Sequence, residues 1–135
     1  KHLSILVPDE QTSMSTVACI IGSFQVFNEA NKFLRGKNRI QFLRLHWWDL
    51  HKMNSSEDFL TIKQNATISE IGETNLIIIP GSLVRNYKDA TQNNKSLIDW
   101  IAKEYKQGAE IASMCEGGFM LASTGLLSGK TCSTH

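Results

Sequence analysis

A chain of 135 residues, 41% of them hydrophobic and 20% charged, has the make-up of one globular domain. Its formal net charge is +1 and its lysines and arginines are scattered, which argues against the clustered basic face that neutralises nucleic-acid phosphates. No apolar run approaches the roughly 18 to 20 residues that cross a bilayer, and the apolar stretch of "KHLSILVPDE" is too short for a signal peptide; no membrane contact and a cytoplasmic location are the expectation.

The elements alternate along the chain. "HLSILVP" is a short apolar run ended by Pro8 and reads as a strand buried on both faces. After the polar loop "DEQTSMS", apolar residues recur at helical spacing from about Ser15 to Leu34: Val17, Ile20, Ile21, Phe24, Phe27, Ala30, Phe33 and Leu34. Ser13 or Ser15 is placed to cap that helix, and Gly36 to stop it. "RIQFLRLHWW" alternates as a second strand does. "DFLTI" and "ATISEI" are weaker strand candidates.

"NLIIIPGS" is the clearest buried strand, closed by the Pro80-Gly81 breaker. "KSLIDWIAKEYKQG" puts Leu97, Ile98, Ile101 and Tyr105 on one helical face, with Gly108 at its end. "AEIASM" predicts the next strand, "EGGFMLASTGLL" a helix, and "KTCSTH" the start of another strand. Strands and helices in alternation, with strands buried on both sides, imply an α/β fold with a mostly parallel sheet covered by helices.

The three cysteines, Cys19, Cys115 and Cys132, are odd in number and form no C-x-x-C, so neither a disulfide framework nor a cysteine-rich zinc site is expected. Cys19 lies on the apolar stripe of the first helix and Cys132 in the last strand candidate, where a free thiol behaves as a small core hydrophobe. Phe119 and Met120 also read as core. In "HWWDLH", His46, Asp49 and His51 have metal-ligand chemistry, but the intervening Trp47 and Trp48 favour an exposed edge or a dimer contact. No metal and no cofactor are expected.

Cys115 stands apart because a strand ends on it and a helix begins at once, the place where open parallel sheets hold ligands. Such a junction needs a tight, often strained residue followed by small ones that let helix and strand approach, and Gly117 and Gly118 fill that need. The pattern is that of a nucleophile elbow. The helix start directs its unpaired N–H groups toward the thiol, which favours negative charge at the sulfur. The alternative is an inert buried thiol at a tight corner.

"IIIPGS", "SMCEGGFMLASTGLLSGK" and "CSTH" together resemble the class I glutamine-amidotransferase-like (ThiJ/PfpI) domain. More narrowly, "CEGGFMLASTGLLSGKTCSTH" and "GSFQVFNEAN" resemble the version fused ahead of an AraC-type helix-turn-helix in transcription regulators. The resemblance implies a flavodoxin-like three-layer α/β/α sandwich. It places the nucleophile position on Cys115, a partner imidazole on His135, and oxyanion-stabilising backbone N–H groups at Gly81 or Ser82 and at Glu116. It also implies that the domain continues beyond His135 and that a DNA-binding domain follows.

Two departures separate the chain from hydrolytic members. Those carry histidine directly after the cysteine, where Glu116 stands here, and the acidic residue that other members supply from the loop after the first strand has no evident match, since Asp9 and Glu10 fall too early. The expectation is therefore a ligand-sensing, dimerising domain without catalysis, taking a small-molecule effector and reaching DNA only through another domain. The competing class is a cysteine-dependent hydrolase, hydratase or glyoxalase-like enzyme acting on a small carbonyl or amide.

Overall fold

The structure is a computed structural model that describes residues 2–6, 13–36, 44–48, 68–81 and 91–133. Four strands form one parallel sheet: β1 (His2–Leu6), β2 (Arg44–Trp48), β3 (Leu76–Ile79) and β4 (Glu110–Ser113). Their order is β2-β1-β3-β4, so the chain winds outward in both directions from β1, as in a flavodoxin-like sheet. Leu3 and Ile5 of β1 lie opposite Leu76 and Ile78 of β3, and Ile79 lies opposite Ser113 of β4. That register sets the carboxyl ends of β3 and β4 side by side.

Strand side chains alternate between faces, and here each face has its own core. Leu3, Ile5 and Ile78 gather on one face with Ile20, Phe24 and Phe27 of helix α1 (Met14–Gly36). Leu6, Ile77 and Ile79 gather on the other with Leu97, Trp100 and Ile101 of helix α2 (Lys95–Lys106), against which Met120 and Leu121 of helix α3 (Gly117–Ser123) pack. Leu3, Ile5, Leu6, Ile77 and Ile79 are fully buried. The continuous β-branched runs in the sequence therefore mark strands covered on both faces, and the result is the expected three-layer sandwich.

Local chemistry sets the helix ends. The amide of Thr16 donates to Ser13 Oγ at 3.2 Å, while the amide of Ser13 donates to Thr16 Oγ1 at 3.3 Å, a reciprocal cap that begins α1 at Met14 and selects Ser13 over Ser15. At the far end of α2, the amide of Gly108 donates to the Tyr105 carbonyl and that of Ala109 to the Glu104 carbonyl, both at 3.0 Å. This pairing requires a left-handed residue, and Gly108 supplies it with φ +103°. Two residues later, at Glu110, β4 starts.

Several expectations are corrected. "ATISEI" contains no strand among its described residues; Ile68–Glu70 is a single 3-10 turn, whose Ile68 packs on the α2 core instead of pairing. The buried face of α2 is Leu97, Ile98, Trp100, Ile101 and Glu104, and Tyr105 is 41% exposed. On α1, Ile21 and Phe33 are exposed while Thr16 and Asn31 are buried. Residues 131–133 form no strand and are exposed, so Cys132 is a surface thiol rather than a core one. β4 is largely exposed, unlike β1 and β3. "DFLTI", Asp49 and His51 lie outside the described residues. Among the described residues no helix is long and apolar enough to cross a membrane.

Candidate functional site

The carboxyl ends of β3 and β4 build the site. The amide of Met114 donates to the Ile79 carbonyl at 2.9 Å, extending the strand pairing by one residue, and Met114 itself packs on the α1 core. The chain then turns at Cys115, whose φ of +50° is the one left-handed non-glycine conformation among the described residues. That geometry costs a side-chain-bearing residue of order 1–2 kcal/mol. The amides of Gly117 and Gly118 close the turn by donating to the carbonyls of Met114 (2.9 Å) and Cys115 (3.2 Å), and α3 begins at Gly117.

The two elbow glycines do different work. A Cβ on Gly117 would fall 2.6 Å from the Ile79 carbonyl oxygen and 2.7 Å from that of Pro80, so only glycine lets α3 sit directly on the end of β3. A Cβ on Gly118 would meet nothing closer than Ser113 Oγ at 3.9 Å; that glycine is not needed for close approach. Gly81 is buried behind the thiol, where an added Cβ would lie 3.1 Å from Cys115 Cβ and 3.7 Å from its Sγ.

Of the expected site residues, the structure brings together Gly81, Cys115 and Glu116. Ser82 and His135 lie outside the described residues. The thiol is exposed, not buried as the alternative reading had it. Among the described residues no hydrogen bond engages the amide N–H of Gly81 or of Glu116.

Beside the elbow lies an open cavity of about 560 Å³, lined by Ser113, Cys115, Phe119, Leu121, Leu127 and Cys132 among others. Its walls are mostly apolar, and its polar lining among the described residues is hydroxyl and thiol, with no imidazole, carboxylate or amine. Sequence reasoning did not assign Ser113, Phe119 or Cys132 to a site. Ser113 follows from period two, since it sits on β4 next to the elbow; Cys132 was hidden because "KTCSTH" reads as the start of a strand, where a free cysteine reads as core. The turns after α3 meet α2 at Lys130, whose Nζ lies 3.4 Å from Tyr105 Oη and 5.3 Å from the ring centre.

Residues 23–135 match the model of the DJ-1/PfpI family. Over 93 residues, 69% of this chain, the sequence is 28% identical to an isonitrile hydratase of Pseudomonas putida, and over 58 residues it is 36% identical to a cobyrinate a,c-diamide synthase of Fusobacterium nucleatum. The chain spans less than half the length of either relative, 39% and 13% respectively. Among solved structures, a proposed transcriptional regulator protein of Vibrio parahaemolyticus superposes with a TM-score of 0.72 at 22% identity, covering 94% of this chain and 62% of the other. A two-domain protein of Anabaena variabilis with DJ-1/ThiJ/PfpI-like and ferritin-like domains superposes with a TM-score of 0.58 at 17% identity, covering 93% of this chain and 32% of the other.

Proposed function

The chain belongs to the DJ-1/PfpI family, and from that premise we propose that it is the ligand-sensing, dimerising domain of an AraC-type transcription regulator, binding a small molecule at the elbow without turning it over. The observation that carries this reading is the lining of the cavity. A thiol is activated for hydrolysis by a neighbouring base and oriented by a third group, and among the described residues the cavity offers Cys115 hydroxyls, a second thiol and apolar walls instead. Directly after the cysteine stands Glu116, where hydrolytic members of the family carry histidine. What remains is a binding geometry: an apolar trough for the body of a ligand, and the amides of Gly81 and Glu116 for a polar or anionic end.

The likeness to a proposed regulator in fold supports the same reading. DNA contact belongs to a separate domain, because the charge of this chain is near zero and unclustered. Ligand acts by shifting the balance between two arrangements of a dimer, which requires different affinity for each. A reducing, cytoplasmic setting suits three cysteines that form no disulfide. The second reading is a cysteine-dependent hydratase or hydrolase acting on a small carbonyl, amide or isonitrile; the similarity to isonitrile hydratase and the exposed, strained Cys115 favour it. A thermal-shift screen of small acids and their neutral analogues on the full-length protein, with Cys115→Ala and Cys115→Ser beside it, separates the two. Sensing predicts a ligand that stabilises the protein, is recovered unchanged and alters affinity for DNA; an enzyme instead consumes the hit, and both variants abolish the consumption.

A further inference from the structure

The left-handed turn at Cys115 is held from both sides. After it, Gly117 lies on the end of β3 with no room for a Cβ. Before it, Met114 is pinned by its backbone and by its side chain. Its amide donates to the Ile79 carbonyl and its own carbonyl accepts from the Gly117 amide, both at 2.9 Å. Its side chain packs on the cluster of Leu3, Ile5, Ile20 and Ile78, with Sδ 3.9 Å from Ser23 Oγ of α1. Ser23 Oγ also donates to the Cys19 carbonyl at 2.7 Å. A hydroxyl has one proton and the carbonyl takes it, so the sulfur meets α1 by packing.

Alternation along the strand separates Met114 from the cavity. Ser113 lines that space, whereas Met114 points to the α1 face of the sheet. Whatever Met114 does for the thiol, it does through the backbone of Cys115.

A residue with a side chain keeps a left-handed conformation only where its surroundings forbid relaxation. Rotating φ of Cys115 out of the left-handed region must swing either the Met114 peptide or the start of α3. Gly117 blocks the second movement, because α3 already sits against the Ile79 and Pro80 carbonyls. The Met114 side chain blocks the first.

We propose that Met114 is the positioning residue of the elbow: wedged against α1, it keeps Cys115 in the left-handed conformation that presents the thiol beside Gly81. Through it the packing of α1 reaches the thiol, although α1 and α3 lie on opposite faces of the sheet. The assignment concerns the geometry of the elbow and holds whether the site binds a ligand or converts one.

The Gly117 amide reports closure of the turn, since it donates to the Met114 carbonyl, and its hydrogen exchange is the readout. Full-length wild type is compared with Met114→Leu, Met114→Ala, Cys115→Gly and the double variant Met114→Ala/Cys115→Gly; Met114→Val replaces the alanine variant if that protein does not fold. Met114→Ala is expected to speed exchange at Gly117 by about 5- to 30-fold, the factor that the strain of one left-handed side chain represents. Leucine conserves the volume, so Met114→Leu stays near the wild-type rate. In the double variant the rate returns toward that of Cys115→Gly alone, because a residue without Cβ has no strain to release. Exchange in α1 changes equally in both proteins that carry Met114→Ala. An acceleration at Gly117 that persists undiminished in the double variant is loss of packing alone and overturns the assignment. No acceleration in Met114→Ala overturns it as well, since Gly117 then holds the turn unaided.

Discussion

Replacing Gly117 with alanine sets two effects of opposite sign against each other. Alanine is the better helix former by about 1 kcal/mol, and Gly117 opens α3, so propensity alone predicts a gain. The added Cβ would sit 2.6 Å and 2.7 Å from two carbonyl oxygens and 3.2 Å from the Ile79 carbonyl carbon. All three are backbone atoms at and just beyond the carboxyl end of β3, so relief demands that α3 lift off β3, not that a side chain turn. Overpacking of this kind costs about 1–3 kcal/mol, more where nothing can give, and here it outweighs propensity. With only backbone able to give, the cost falls in the upper part of that range, about 2–3 kcal/mol, and the expected net loss is about 1–2 kcal/mol, or a fall in Tm of roughly 3–8 °C for a domain of this size, with Cys115 shifted from its place beside Gly81. Gly118→Ala is the internal control, since its Cβ meets only Ser113 Oγ at 3.9 Å; it is expected to be neutral or stabilising by up to about 1 kcal/mol. Denaturant and thermal unfolding of the pair, at full length, decide the matter. A Gly117→Ala protein as stable as the wild type, or a Gly118→Ala protein that loses as much, refutes the close approach of α3 to β3.

Other consequences are as direct. Cys115→Gly removes the strain of a left-handed side chain and is expected to stabilise the protein by about 1 kcal/mol while abolishing thiol chemistry at the elbow, as chemical denaturation with thiol labelling measures. Ser13→Ala removes the oxygen that accepts from Thr16 and costs about 1 kcal/mol, readable in Tm. Gly22→Ala, where an added Cβ meets nothing within 4 Å on α1, gains about 0.5–1 kcal/mol by the same assay. In a timed alkylation of folded protein, Cys115 and Cys132 are modified ahead of half-buried Cys19; labelling of Cys19 first contradicts the exposures on which the site rests.

The parts of this fold that are plain in the sequence are those with a one-dimensional signature. Fully buried parallel strands appear as unbroken runs, which is why "HLSIL" and "LIII" mark β1 and β3. The elbow is equally plain, because a strand meeting two glycines and a helix leaves few conformations for the residue between them. Other features depend on partners far along the chain. The buried face of α2 turns through Glu104 rather than Tyr105, and a hydrophobic pattern cannot place a carboxylate inside. "KTC" has a strand's composition, yet pairing is a property of two segments, and residues 131–133 find none among those described. For the same reason the sequence could name Cys115 and Gly81 but not the groove, whose walls come from α3, the turns after it and Cys132.

The claim at the centre of this account is that the elbow binds a small molecule and leaves it unchanged. The most direct test counts turnovers: full-length protein is incubated for hours with an isonitrile, a 2-oxoaldehyde, a small amide and each thermal-shift ligand, and product per protein is measured beside Cys115→Ala and Cys115→Ser. The account predicts at most one product per thiol, with ligands recovered intact. Many turnovers per protein, lost in both variants, would contradict it and make this cysteine a catalytic nucleophile.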